Sequence, residues 1–300
     1  MTHKNCYYCK QKCNLYLKSS NKGLNENYNF TSTETDTYES EIKPDLYFCN
    51  NCEIIFSEFI DKKFENNYRD VLDNLYISQI KNKRMYFESV VNKLSNLIKK
   101  KYDVLELGSY YGAFGSQIKD KVNTYVGVEL SSHACNYAKK EFNLNVQNTS
   151  IYDFFESNQK KYDIIFMFDV LEHLDDPDSI IKLCSNNLKE NGTLIFSTMN
   201  MNSLVAKATG KYYPWIIPMH KFYFTNKSVK KYLLKNNLKL DKIIGDVRIV
   251  SLEYLFLKIS QKINILKYVY NFIIKFDKLK NSTLKFSLFD INIYLASKNN

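Results

Sequence analysis

Between Asp103 and Thr198 the chain alternates between two textures. Apolar runs at Asp103–Leu107, Thr124–Glu129, Asn145–Gln147, Asp163–Phe168 and Gly192–Thr198 read as strands, and Phe114–Lys121, Ser132–Phe142 and Asp178–Leu188 read as helices. Short apolar runs suit strands covered on both faces, and a strand–helix–strand repeat closes as a parallel sheet wrapped by helices. The expected fold class is α/β, a doubly wound and mostly parallel sheet. Further on, Ser228–Asn236 reads as helix, Lys239–Ile249 as strand-like and Phe289–Ala296 as a final strand. With 300 residues, 45% of them hydrophobic, the chain can hold one large domain and a small accessory module.

The first run leads into Asp103-Val-Leu-Glu106-Leu-Gly108-Ser-Tyr-Tyr-Gly112-Ala-Phe114, a strand entering a glycine turn that opens a helix. Such a turn lets backbone groups approach a ligand closely at the carboxyl end of a strand. About twenty residues on, the second strand ends at Glu129, where a carboxylate can accept both hydroxyls of a ribose. The glycine spacing is Gly-xxx-Gly, so the pyrophosphate-binding fingerprint is missing. Glu106, two positions before the first glycine, suits a cationic ligand such as an ammonium or a sulfonium.

The Glu106-x-Gly108-xxx-Gly112 turn, Glu129 and the stretch Phe168-Asp169-Val170-Leu171-Glu172-His173-Leu174-Asp175-Asp176-Pro177 together resemble class I S-adenosylmethionine-dependent methyltransferases of the small-molecule type. Asn191-Gly192-Thr193-Leu194-Ile195 and Pro218-Met219-His220-Lys221-Phe222-Tyr223-Phe224-Thr225 stand in family position too, so the resemblance covers Lys101 to Thr225. It implies a Rossmann-like sheet and S-adenosyl-L-methionine as the cofactor. Carried over residue by residue, Glu106, Gly108 and Gly112 would hold the methionine part. Glu129 would hold the ribose, with Leu130 beside the adenine, and Ser150 and Ile151 would flank that ring. Asp169 would line the donor pocket. Many relatives carry a third glycine where Tyr110 stands here. Tyrosine is tolerated there if its backbone angles are ordinary, and it narrows the pocket.

Methyl transfer to a hydroxyl needs a base for the departing proton, and histidine suits that near neutral pH. Of four histidines, His3 is terminal and His133 begins a helix, leaving His173 and His220. His220 lies in a Pro- and aromatic-rich loop suited to cover an active site and is the better-placed candidate. His173 is read equally as a helix-capping residue.

Cys6-Tyr-Tyr-Cys9 and Cys49-Asn-Asn-Cys52 are two CxxC knuckles that together supply the four thiolates structural Zn2+ prefers. A module this small needs such a staple. Asp45–Phe48 and Glu53–Phe56 read as strand arms, and the polar insert Lys18–Glu41 as exposed loop or ragged hairpin. A redox-active pair, or Cys13 as a replacement ligand, competes with the zinc reading but explains two pairs less simply. Modules of this kind resemble ones fused to sugar-modifying methyltransferases. The expected organisation is a zinc ribbon over 1–60, a helical connector over 61–100 and a methyltransferase domain over 101–300. In the connector Val71, Leu75, Ile80, Phe87, Val90, Val91, Leu94, Leu97 and Ile98 recur at helical steps, consistent with one or two helices.

An amphipathic helical insert is expected at about 251–280, where Leu252, Leu255, Phe256, Ile259, Ile263, Leu266, Tyr270 and Ile273 alternate with lysines. It can pack on the sheet, close over a substrate or lie on an anionic membrane as a peripheral contact. By analogy the acceptor is expected to be a sugar or lipid-linked glycan. The formal charge of +10 favours anionic partners, but the lysines are spread over many segments. Nucleic acid is disfavoured, because the position after the fourth strand reads Asp169-Val-Leu-Glu in place of an Asn/Asp-Pro-Pro-aromatic motif. An RNA methyltransferase contacting RNA through the ribbon, and a non-catalytic protein on the same fold, are the alternatives. No signal peptide and no transmembrane segment is read, and seven cysteines without a secretory context point to the cytoplasm.

Overall fold

The computed structural model describes residues 4–18, 43–57, 68–262, 266–280 and 282–298. The expected loop Lys18–Glu41 lies, beyond its first residue, outside them.

Two hairpins open the chain, each turning at a cysteine knuckle. Strands β1 (Lys4–Asn5) and β2 (Lys12–Leu17) flank the first, and β3 (Leu46–Cys49) and β4 (Ile54–Ser57) the second. The connector yields α1 (Asn74–Ser78) and α2 (Ile80–Lys93), with Val90 and Val91 buried while Leu75 and Leu97 are exposed. There follow β5 (Asp103–Leu107), α3 (Gly115–Ile118), β6 (Thr124–Glu129), α4 (Ser132–Phe142), β7 (Val146–Asn148), α5 (Ile151–Ser157), β8 (Tyr162–Phe168), α6 (Pro177–Asn187) and β9 (Leu188–Met199). Local chemistry sets the boundaries. Ser131 accepts a hydrogen bond from the Ala134 N–H at the start of α4, and Asn143, at φ 50°, ends it in the left-handed region. Helix α5 goes unnoticed in the sequence because seven residues are too few to show a period, although Ser150 caps it by accepting from the Asp153 N–H.

The remainder comprises α7 (Leu204–Thr209), β10 (Phe222–Tyr223), α8 (Asn226–Lys235), β11 (Leu238–Gly245), β12 (Arg248–Ser251), α9 (Leu252–Lys262), α10 (Leu266–Ile273), α11 (Asp277–Lys280), β13 (Thr283–Phe286) and β14 (Ile291–Lys298). One expectation needs correction here. The strand Lys239–Ile249 is two strands: β11 stops at Gly245, and β12 leaves the sheet to pair with β13. The insert is helical as expected, as a group of short helices between β12 and β13.

The main sheet runs β11-β14-β9-β8-β5-β6-β7. Strands β9, β8, β5, β6 and β7 are parallel, and β14 lies antiparallel between β9 and β11. The chain leaves β5 toward β6 and β7, then returns to the other side for β8. That reversal opens a crevice at the carboxyl ends of β5 and β8. Register aligns those ends, with Leu107 beside Val128 on one side and Met167 on the other.

The second sheet runs β1-β2-β3-β4-β10. Its last strand comes from far along the chain, Phe222 pairing with Phe56 and Tyr223 with Ile55. Tyr47, Phe56 and Phe222 share one buried cluster with Leu105, Ile165 and Phe196 of the main sheet. A hairpin pair too small for its own core thereby completes one with its neighbour.

Candidate functional site

The turn after β5 is anchored from below. The Gly108 and Ser109 N–H groups both donate to the Val128 carbonyl, at 2.8 and 3.0 Å, and Gly112 N–H donates to Ser109 O at 2.9 Å. Gly108 has φ +69°, and a Cβ there would stand 2.4 Å from Val170 Cγ2. Glycine at this position therefore brings the loops after β5 and β8 into contact.

Tyr110 does not have the ordinary backbone angles its size would call for. Its φ is +45°, in the left-handed region, at a cost of about 1–2 kcal/mol for an L-residue. Several contacts offset that strain. The Tyr110 N–H donates to Glu129 Oε2 at 2.8 Å, its hydroxyl donates to Asp73 Oδ2 at 2.7 Å, and its ring meets Tyr76 and Tyr111 edge-on, each at 4.6 Å. Asp73 caps α1, so the connector reaches the turn, a role the sequence showed only as an Asp before a helical run.

Glu129 is 3% exposed, its other oxygen accepting from the Ser131 N–H at 2.8 Å. Burial pushes its carboxyl up to about 7, against the pull of those backbone donors. Its carbonyl accepts from the Thr149 N–H and from Asn148 Nδ2, and Asn148 also reaches the Leu130 carbonyl at 2.8 Å. Glu129, Leu130 and the start of α5 at Ser150 and Ile151 thus form one linked rim. Glu106 stands apart from it. The carboxyl is buried beneath the turn, accepts from the Tyr125 hydroxyl, and is pushed up to about 8 by burial. Near neutrality it is largely protonated, and the open negative charge of the crevice comes instead from Asp169, which is exposed. Asp169 sits at φ 53°, with its N–H donating to Ser197 Oγ and its Oδ1 accepting from that hydroxyl at 2.6 Å.

Beyond Asp169, Glu172, His173 and His220 come together. The imidazoles stand edge to face with centroids 4.6 Å apart. His220 is 4% exposed, buried beneath its loop where the sequence suggested a cover. Burial lowers both rings, His173 to about 4, and the neighbouring His173 adds to the depression at His220. Each is neutral near pH 7. Glu172, buried and pushed up to about 8, accepts from the Thr198 hydroxyl at 3.0 Å. The sequence had shown Glu172 only as part of a motif.

At the two knuckles of the N-terminal sheet, the Cys6 and Cys52 sulfurs are 3.7 Å apart and those of Cys9 and Cys49 3.5 Å. All four lie within 4.8 Å of one another. Four thiolates at about 2.3 Å from a tetrahedral zinc would be separated by roughly 3.8 Å, so the donor set fits that ion. The two knuckles have the same build. Lys10 and Glu53, each following the second cysteine, have φ 61° and 57° and donate back to Cys6 and Cys49 carbonyls. Cys13 turns its thiol to the Gln11 carbonyl instead.

A family model for the methyltransferase domain matches residues 79–243, more than half of the chain. Among curated proteins, the chain is similar to the ubiquinone biosynthesis O-methyltransferase of Actinobacillus pleuropneumoniae serotype 5b, 30% identical over 37% of this chain and 50% of that protein. It is likewise similar to the enzyme of that name from Glaesserella parasuis, 31% identical over 36% of this chain and 49% of the relative. The chain thus spans about half the length of the curated relatives it matches. Among solved structures, a SAM-dependent methyltransferase from Archaeoglobus fulgidus superposes with a TM-score of 0.50 at 20% identity, over 75% of this chain and 100% of that one. That likeness supports the α/β fold with its mostly parallel central sheet.

Proposed function

The chain belongs to the methyltransferase domain family, and from that premise we propose that it transfers a methyl group from S-adenosylmethionine to a hydroxyl oxygen of a small molecule. The observation that carries the reading is the rim of the crevice. There a buried Glu129 fixes the Gly108–Gly112 turn through the Tyr110 N–H and stands one residue from the Leu130 backbone.

In this reading Gly108 and Gly112 give the methionine part of the donor its backbone contacts, and Glu129 accepts from the ribose hydroxyls. Leu130, Ser150 and Ile151 border the adenine. Asp169 offers the exposed carboxylate, and Glu106 supports the turn from below through Tyr125. The bound donor supplies a methyl carbon already activated by a sulfonium. The task left to the protein is to align the acceptor in line with it and exclude water. His173 and His220 lie on the acceptor side, beyond Asp169.

Four cysteines holding a structural zinc, a ribbon over 1–60, a connector over 61–100 and a catalytic domain over 101–300 complete the proposed organisation. For the acceptor class, the insert supplies one observation. Tyr268, Phe272 and Phe276 are 78%, 56% and 49% exposed, with Lys267, Lys275 and Lys278 among them. No helix among the described residues is long and apolar enough to cross a membrane. That face suits an anionic lipid surface, and hence a lipid-linked acceptor. Nothing among the described residues singles out a sugar over another hydroxyl compound.

Calorimetry with S-adenosylhomocysteine tests the function. The wild-type chain should bind it, and Glu129→Gln should bind about tenfold more weakly through the ribose contact. A wild-type protein that gives no heat is a scaffold, and unchanged affinity in the variant refutes the rim. Co-sedimentation with vesicles rich in anionic lipid tests the surface, and a chain left wholly in the supernatant overturns it.

A further inference from the structure

Glu172 and His173 follow β8, and His220 precedes β10, yet one ligand atom from each lies within 4.8 Å of the other two. The two loops are tied by the Lys221 N–H, which donates to the Glu172 carbonyl at 2.8 Å. Both imidazoles are held in the same way. His220 Nδ1 is 2.8 Å from the Trp215 carbonyl, and His173 Nδ1 is 3.2 Å from the Met219 carbonyl. A carbonyl oxygen only accepts, so each Nδ1 carries the hydrogen and each neutral ring keeps its lone pair on Nε2. A backbone carbonyl on one nitrogen, orienting the other, is how ligating histidines are set. The carboxylate is oriented too, by the Thr198 hydroxyl.

We propose that Glu172, His173 and His220 form a binding site for a divalent transition-metal ion, separate from the four-cysteine cluster. Two imidazoles and one carboxylate suit zinc, manganese, iron or cobalt rather than magnesium or calcium, which prefer all-oxygen sets. The buried Glu172 carboxyl faces two uncharged rings, and such an ion would supply the counter-charge that its ionised form lacks there. Three protein ligands leave a further coordination position. The site is three residues beyond Asp169, on the acceptor side of the crevice. An ion there would favour the ionised form of an acceptor hydroxyl, so neither buried histidine would have to act as the base. That last use rests on the methyltransferase reading; the binding itself does not.

With only four histidines, the full chain labelled with ¹⁵N-histidine provides a direct test. Zinc is first supplied to saturate the cysteines, followed by further zinc without any methyl donor. The second addition should shift the Nε2 resonances of His173 and His220, with their Nδ1–H signals retained. His3→Gln and His133→Gln identify the other two rings. In Glu172→Gln the zinc needed for half the shift should rise by at least about tenfold. No histidine response, or a response confined to His3 or His133, overturns the proposal. A chain that binds zinc at these rings but never binds S-adenosylhomocysteine keeps the site and loses the enzyme.

Discussion

Gly108→Ala places a methyl group where two separate penalties meet, and a second substitution removes only one of them. The backbone penalty comes from φ +69°, about 1–2 kcal/mol for an L-residue. The packing penalty comes from Val170 Cγ2, 2.4 Å from the new Cβ, against an ordinary carbon contact of about 3.5–4.0 Å. Forcing that pair apart should cost about 1–3 kcal/mol. The single variant should therefore lose roughly 2–5 kcal/mol of stability. Val170→Ala alone, at a half-buried side chain, should lose about 1 kcal/mol. In the double variant the crowding is gone and the φ penalty stays, so the cycle should show a favourable coupling of about 1–3 kcal/mol. Urea unfolding measures all four proteins. S-adenosylhomocysteine affinity should follow, because the same turn presents the Tyr110 N–H to Glu129. Additivity within about 0.5 kcal/mol would mean the turn moves freely away from Val170 and would refute the close approach.

Two further outcomes follow, one from a buried carboxyl and one from the cysteine knuckles. Burial raises Glu106 from 4.5 to about 8, so the folded chain keeps a proton that the unfolded chain releases between those values. The stability this contributes is complete below pH 4.5 and is lost as pH climbs to about 8. Glu106→Gln removes that slope and should gain on the wild type between pH 5 and pH 8 by at most about 4 kcal/mol. Equal pH slopes in urea unfolding would refute it. In the ribbon, Cys9→Ser with Cys52→Ser should lower turnover far more than donor affinity, because β4 holds β10 and the loop before it. Turnover unchanged in that variant, or lost together with donor affinity, would show that the ribbon does not act on the acceptor side.

The sheet was legible because its strands are buried on both faces. Val104, Leu105 and Leu107, or Ile164 to Met167, present apolar side chains whichever way they point, and an uninterrupted run survives any error of register. Boundaries slipped where a polar residue carried the ladder on, as at Asn148, which extends β7 beyond Gln147. The strand Lys239–Ile249 misled because its apolar residues run on past Gly245, while from Arg248 onward the chain pairs with β13 and no longer with β14. At the site, glycines and acids at fixed spacing could be read directly, since they answer to the local turn. Their protonation could not. Glu106 and Glu129 have the same side chain in one motif, yet one is sealed under the turn against Tyr125 and the other receives two backbone N–H groups. That difference arises only when β5 and β6 lie side by side.

Tyr110 and His220 posed the harder problem, because distant segments decide both. A tyrosine in the left-handed region persists when its surroundings over-determine it, and here Asp73 and Tyr76 at the start of α1 and Glu129 at the end of β6 do so from two separate segments. His220 is fixed by a still longer chain of dependence. Its loop continues into β10, β10 closes the ribbon sheet against β4, and β4 follows the knuckle formed by Cys49 and Cys52. The Ser57 N–H donates to the Lys221 carbonyl at 2.9 Å, next to the histidine itself, while the Lys221 N–H donates to Glu172. Rotation of the ribbon would therefore pull the two halves of the Glu172–His173–His220 group apart while leaving the Gly108–Gly112 turn and Glu129 in place. The Gly108–Gly112 turn and Glu129 are held by the sheet and by the connector, through Asp73 and Tyr76. The Glu172–His173–His220 group needs the sheet and the N-terminal module together, which gives that small module a physical reason to be joined to this fold.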